Sequence, residues 1–302
     1  MRIAAFGRGR HRFDMLFGMM CTRNLILLML ASLTAVSPAT AQSLKLYVFD
    51  TGSILGIDPV GFHLTKQEVG EPDMICASYL IVHTAGGRTQ TLVWDSGVLP
   101  DADVDAGKGE VKRGTTTMKA TKTLKSQLAA AGFAPKDITY FALSHMHFDH
   151  VANSNAFAAA STWLVQRPER DAMFSDKPGA ASQPGLYAAL KDAKTKVLDG
   201  ADYDVFGDGS AVIKAAYGHT PGHQVLVLKL TKTGPVVLAG DLYHYQAERG
   251  TDKVPGFEFN REQSLASREK IEALVKQTGA QLWIEHDLAH FRTQKKSPEF
   301  YE

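Results

Sequence analysis

The chain has 302 residues, with 33 Lys and Arg against 32 Asp and Glu, for a formal charge of +1. Apolar residues make up 44%, charged residues 22% and aromatics 9%, an ordinary globular composition that excludes a disordered, collagenous or low-complexity chain. The near-neutral charge removes the electrostatic footprint of a nucleic-acid partner, and 2 cysteines exclude a disulfide framework or a thiolate zinc site.

The first 41 residues read as a secretory signal. Arg2, Arg8, Arg10, Arg12 and Arg23 precede the apolar run Leu25–Leu33. That run is shorter than the about 20 residues that span a bilayer, and Ala39-Thr40-Ala41 offers small residues for cleavage. The mature protein is expected to begin at Gln42, to form a single domain over 42–302, to reside in the periplasm or outside the cell, and to keep no stable membrane anchor. Removing five arginines and one aspartate leaves 28 basic against 31 acidic residues, a net of −3. Cys76 then remains as the single cysteine.

Leu44–Phe49 is a short apolar strand that ends at the turn Asp50-Thr51-Gly52. Cys76–His83 and Thr91–Trp94 are β-rich runs separated by Ala85-Gly86-Gly87-Arg88, a hairpin pattern. The second run ends at Asp95-Ser96-Gly97. Leu124, Leu128 and Ala131 give helical spacing within Thr121–Gly132. Asp137–Ser144 reads as a strand running into His145, Asn153–Ala160 as a short helix and Thr162–Gln166 as a strand. Pro168, Pro178, Gly179 and Pro184 mark 168–184 as an irregular insertion, a candidate lid or homodimer contact, followed by a short helix at Leu186–Asp192. Ala211–Ala216, Val225–Leu230 and Val236–Ala239 are strands. Asn260 and Gln263 form a capping box for a helix over Arg261–Thr278, and Leu282–Ile284 is the last strand. Strands alternating with helices predict a layered α/β domain.

The chemistry concentrates in Ser144-His145-Met146-His147-Phe148-Asp149-His150, just past a predicted strand. Residues i and i+2 of an extended segment point the same way. His145 and His147 can therefore share one ion, and the turn that follows lets Asp149 and His150 face a neighbouring one. Imidazole and carboxylate suit zinc and similar divalent metals. So many ionisable side chains at one strand end are hard to satisfy otherwise. Three later segments also sit at strand ends: Tyr217-Gly218-His219-Thr220-Pro221-Gly222-His223, Gly240-Asp241 and Glu285-His286-Asp287. One rim of a sheet can gather them all.

These motifs resemble the metallo-β-lactamase superfamily across essentially the whole mature chain. The resemblance implies a four-layer αβ/βα sandwich with a dimetal site at one edge of the sheets. Carried over, His145, His147 and His219 hold the first metal, Asp149, His150 and His286 the second, and Asp241 bridges both. His223 and Asp95 support the ligands. The true β-lactamases generally lack the bridging aspartate; lactonases, thioester hydrolases and phosphotriester hydrolases have it. Two cations depress the pKa of a bridging water and supply hydroxide near neutral pH. Asp149 is placed to pass a proton to the departing alkoxide.

Within the superfamily the chain is most similar to the N-acyl-homoserine lactonases. Leu46-Tyr47-Val48-Phe49-Asp50-Thr51-Gly52 resembles their opening strand, and the His219 to Asp241 spacing, Glu285-His286-Asp287 and Val254-Pro255-Gly256-Phe257 are also similar. Those lactonases commonly place a substrate-contacting tyrosine three residues after the bridging aspartate. Here that position is His244, flanked by Tyr243 and Tyr245, and one of these three is expected to take the role. Phe148, Met173, Phe174, Leu186, Tyr187, Phe257 and Phe259 are candidates to line an apolar cleft for an acyl chain. The expected substrate is a small lactone. The alternative is another bond class on the same fold: a phosphotriester, thioester or β-lactam. Zinc is the default metal, with Mn, Fe, Co or Ni also compatible.

Overall fold

The computed structural model describes residues 42–179 and 181–302; the expected signal sequence lies outside the described residues. The larger sheet contains β1 (Ser43–Leu55), β2 (Met74–Ala85), β3 (Arg88–Trp94), β4 (Glu110–Arg113), β5 (Thr116–Lys119), β6 (Tyr140–Ala142), β7 (Thr162–Gln166) and β8 (Thr195–Leu198), in the order β4-β5-β1-β2-β3-β6-β7-β8. The smaller sheet contains β9 (Tyr203–Asp204), β10 (Ala211–Ala215), β11 (Gln224–Leu230), β12 (Gly234–Leu238) and β13 (Gln281–Trp283), in the order β13-β12-β11-β10-β9. The helices are α1 (Lys66–Val69), α2 (Asp101–Asp105), α3 (Leu124–Ala130), α4 (Arg167–Met173), α5 (Arg261–Thr278) and α6 (Leu288–Thr293). None of the described helices is long and apolar enough to cross a membrane.

Side-chain alternation within the strands builds the layers. Leu46, Val48, Tyr79, Ile81 and Trp94 of the larger sheet pack against Ile213, Leu226, Leu228, Leu238 and Trp283 of the smaller one. Their immediate neighbours Tyr47, Phe49, Leu80 and Val93 point the other way, onto Leu124 and Leu128 of α3 and onto Phe157 and Trp163. Val225, Val227, Val237 and Leu282 likewise face Ile271 of α5. Strands buried on both faces read as near-continuous apolar runs, as Cys76–His83 and Val225–Leu230 do. Each fully buried large aliphatic side chain contributes about 1.5–3 kcal/mol. The result is the expected four-layer sandwich of two sheets with helices outside.

Some elements differ from the sequence expectation. Pro168 stands in the first turn of α4, where its missing N–H costs nothing, so 168–184 begins as a helix and not as an irregular insertion. The expected helix at Asn153–Ala160 is a 3₁₀ turn, Ser154–Phe157. The hairpin β4–β5 is absent from the sequence expectation; its strands are four residues each and bury only Met118, which leaves little hydrophobic period to read.

Strand direction places the site. β3, β6, β7 and β8 run parallel. In the smaller sheet β12 and β13 are parallel, and β10 runs antiparallel to β11, which is antiparallel to β12. The C-terminal ends of β3, β6, β10, β12 and β13 are therefore the ends that release Asp95, His145, His219, Asp241 and His286.

Candidate metal centre

Asp241 is the hub of the site. Its Oδ2 lies 3.5 Å from His145 Nε2 and 3.2 Å from His219 Nε2. Its Oδ1 lies 3.2 Å from His150 Nε2 and 3.1 Å from His286 Nε2. One carboxylate thus faces two imidazole groups with its two oxygens. His147 completes the first group, with Nδ1 2.9 Å from His219 Nε2. Asp149 belongs to the second, with Oδ2 3.5 Å from His286 Nε2 and 3.8 Å from His150 Nε2. His145, His147, His219 and Asp241 form one cluster of metal-compatible donors, and His150, Asp241 and His286 form another. All seven residues named from the sequence are brought together.

Four of the five imidazoles are oriented by a contact on the far side, the arrangement that fixes tautomer and ring direction in metal sites. The Ser144 hydroxyl lies 3.0 Å from His145 Nδ1. Glu258 Oε1 lies 3.0 Å from His219 Nδ1. The Ile75 carbonyl lies 2.7 Å from His286 Nδ1. His150 Nδ1 faces Glu285 Oε1 at 3.1 Å and Asp95 Oδ2 at 3.4 Å. Asp95 also accepts from Ser144 N at 2.6 Å, which ties the end of β3 to the loop after β6. His223 Nε2 accepts from Asp241 N at 3.0 Å, so the second motif histidine holds the hub residue. Neither role is legible in the sequence: Glu258 stands in no motif, and Glu285 appears only as the neighbour of His286.

Close packing explains two motif glycines. Gly240 has φ +50°, and a Cβ there would lie 2.7 Å from Ser144 Cβ. A Cβ on Gly222 would lie 2.4 Å from Glu169 N. Only glycine lets these two loops approach so closely.

The donors fit divalent cations. His145 Nε2, His150 Nε2 and Asp241 Oδ1 are buried and have no hydrogen-bond partner, although buried polar atoms are normally paired. Burial and neighbouring imidazoles, foremost His150 for the one and His219 for the other, push His145 and His147 well below the usual imidazole range. That favours the neutral form that binds metal. Burial opposes ionisation of Asp241, but His286, His150, His145 and His244 hold its carboxyl well below the usual range. Burial lowers His150 too, yet Glu285, Asp241 and Asp149 carry it well above.

Of the three candidate substrate contacts, only His244 reaches the site. Its Nε2 is 3.1 Å from Asp241 Oδ2, and its ring stacks on His286 at 5.7 Å and packs on Phe62 at 4.8 Å. Burial lowers it, but Asp241 and Glu248 outweigh that and raise it to about 9. The expectation for the two tyrosines is corrected. Tyr243 is buried against α5 with the Arg268 guanidinium 4.4 Å from its ring centroid. Tyr245 packs on Phe62 and donates its hydroxyl to the Pro72 carbonyl at 2.7 Å.

Two apolar cavities meet over the site. One, of about 270 Å³, is lined by Ile54, Ile57, Phe62, Met74 and Phe148 together with Asp149, Asp241, His244 and His286. The other, of about 380 Å³, runs between Met146, Ala172, Pro221, Phe257 and Phe259, with Lys177 at its wall. His147, Ala181 and Phe257 border both. Phe148, Phe257 and Phe259 line these cavities, as the sequence suggested for an apolar cleft. Met173, Phe174, Leu186 and Tyr187 instead belong to the core between the larger sheet and its outer helices, because aromatic content alone does not tell a cleft from a core. The segment after α4 lies on the metal-site loop, with Phe148 N donating to the Ala181 carbonyl at 3.0 Å.

The sequence profile of the Metallo-beta-lactamase superfamily matches residues 72–277. The chain belongs to this superfamily. It is a metal-dependent hydrolase. It is 31% identical over 193 residues to the N-acyl homoserine lactonase AttM of Azorhizobium caulinodans, covering 61% of this chain and 72% of that one. It is 29% identical over 261 residues to an N-acyl homoserine lactonase of a Bacillus species, covering 85% and 98%. Among solved structures, an N-acyl homoserine lactone hydrolase with N-hexanoyl-L-homoserine bound at its catalytic metal centre aligns with TM-score 0.69 and 25% identity, over 85% of this chain and 98% of that chain. A dizinc quorum-quenching lactonase shares the fold at TM-score 0.58 and 17% identity, over 87% and 96%.

Proposed function

We propose that this protein is an exported dimetal lactonase that opens N-acyl homoserine lactones. The observation that carries the reading is the Asp241 carboxylate shared between two imidazole clusters at the floor of an apolar cavity. The lactonase relatives support the substrate class. In this reading His145, His147 and His219 hold one ion, Asp149, His150 and His286 the other, and Asp241 serves both. Two divalent ions, zinc by default, supply Lewis acidity and an acidified water at this rim.

The remaining work belongs to the chain. Asp149 lines the smaller cavity and can carry a proton on its carboxylate to the ring oxygen as it leaves. His244 lines the same wall and can redirect its Nε2 hydrogen bond from Asp241 to the lactone carbonyl or ring oxygen. The apolar walls exclude water and accept the acyl chain. Phe257 and Phe259 are 53% and 61% exposed at the outer cavity, an apolar rim that suits an acyl tail.

A substrate panel tests this. The cation-loaded protein should release acid from acyl-homoserine lactones with kcat/KM orders of magnitude above its turnover of phosphotriesters, thioesters and β-lactams. Fast turnover of one of those classes without lactone opening would reject the reading. Export rests on the arginine-rich start, the short apolar run and Ala39-Thr40-Ala41. N-terminal sequencing of the exported protein should begin at Gln42, and a retained Arg23 would sink the cleavage proposal.

A further inference from the structure

We propose that Glu169 is a positioning residue for the first cluster: its carboxylate ties the segment carrying His145 and His147 to the loop carrying His219, and so sets the spacing of the three imidazoles. The proposal rests on the two-ion reading above. Glu169 lies in the first turn of α4, distant in sequence from every candidate ligand, and is only 3% exposed. Its Oε1 accepts from Met146 N at 2.7 Å. Its Oε2 accepts from the Thr220 hydroxyl at 2.8 Å and from Gly222 N at 2.7 Å. Met146 is the residue between His145 and His147, and Thr220 directly follows His219. Two of the three hydrogen bonds therefore land next to the imidazole residues, the Met146 bond beside both His145 and His147 and the Thr220 bond beside His219.

The chemistry requires a carboxylate. All three donors are uncharged, and an ionised carboxylate is acceptor-only with two oxygens to serve them. A buried charge is costly unless it is hydrogen-bonded, and these three bonds offset part of that cost. Glutamine would keep one acceptor and turn an amide NH₂ toward N–H groups on the other side. The position of the clamp is equally constrained. The loop of Gly222 sits directly on α4 with no room for a Cβ, so a shift at Glu169 is transmitted to His219 and not absorbed. The two loops come from different sheets, one after β6 and one after β10. Glu169 thus joins the two halves of the sandwich at the point where they share an ion.

The test uses the full mature chain and its E169Q and T220V variants. Stepwise Co²⁺ titration against a chelator reads the affinity of each site, and visible Co²⁺ absorption reads the ligand geometry. Thermal unfolding checks the fold. E169Q should keep a cooperative transition and one cation of wild-type affinity. It should bind the other about 10–100-fold more weakly, the usual loss for a residue that orients a ligand, with an altered Co²⁺ spectrum. T220V removes one donor of three and should shift both readouts in the same direction by less. If E169Q does not fold, T220V decides by the same measurements. Two-cation binding within twofold of wild type with an unchanged Co²⁺ spectrum would overturn the clamp and leave the two-ion reading standing. A wild-type chain that takes up fewer than two cations would overturn both.

Discussion

Asp241 meets imidazole nitrogens of His145, His150, His219, His244 and His286 at 3.1–3.5 Å. One carboxylate cannot satisfy so many rings by hydrogen bonds alone, and the buried Nε2 atoms of His145 and His150 stay unpaired. Asp241→Asn keeps the shape and removes the charge. It should leave the fold intact, lower cation content below two per chain, and reduce lactone opening at least 100-fold, roughly the upper range for losing even an indirect ligand contact. Wild-type activity in that variant would contradict the hub role. Behind it, Arg268 donates to the Leu242 carbonyl at 2.8 Å and to Glu248 Oε1 at 3.2 Å. Glu248 in turn accepts from the backbone N–H groups of His244 and Tyr245. This buried pair fixes the loop carrying Asp241 and His244. Arg268→Met should cost about 3–5 kcal/mol because it removes a buried counter-charge of Glu248, and the double variant with Glu248→Gln should recover much of that in urea unfolding. Equal stability of wild type and Arg268→Met would refute the argument.

At the scale of elements, what was readable depended on period and caps. The helix Arg261–Thr278 is found with its expected bounds, and Asn260 Oδ1 accepts from Gln263 N at 2.9 Å. The return half of the expected capping box is replaced: Asn260 N donates to the Gly218 carbonyl at 2.8 Å. The cap thereby anchors the His219 loop to α5. The strands that hand over ligands were legible because apolar runs stop at chemistry-bearing residues. Helix α6 was not, since six residues give too little period. His290, in its last turn, packs on Trp283 at 5.5 Å. Burial lowers it from the ordinary 6.5, Lys296 adds to this, and Asp287 only partly opposes it. The folded chain therefore binds this proton less readily than the unfolded one. Its contribution is fully present above pH 6.5 and is lost as pH falls through the folded value. Unfolding free energies from pH 7 to 5 should fall less steeply in His290→Gln than in wild type; parallel curves would exclude the effect.

For the whole molecule, the cations would join the two sheets. Cys76 is a free, buried thiol, so no described disulfide braces the rim. Ligands released from β6 belong to one sheet and those from β10, β12 and β13 to the other, so a bound ion opposes separation of the layers. At a thousandfold excess over Kd, one ion adds about 4 kcal/mol, on the order of 10 °C in Tm for a domain of this size. Chelation followed by dialysis should lower the thermal midpoint by that amount, with recovery on adding Zn²⁺. An unchanged midpoint would show that the metal contributes no stability.

The layered α/β class and the seven residues gathered at the rim are legible in the sequence alone. Apolar runs, strand-end turns and His/Asp spacing are local properties of the chain, and the family resemblance bound them into one site. Tertiary structure alone decided which neighbours serve that site. It chose His244 over Tyr243 and Tyr245 and sent Met173 and Tyr187 to the core. It also gave Glu169, Glu258 and Glu285 their partners. A lone glutamate or aromatic reads the same on a surface, in a core or beside a metal; its role depends on contacts made across tens or hundreds of residues, which only the packing of the two sheets creates.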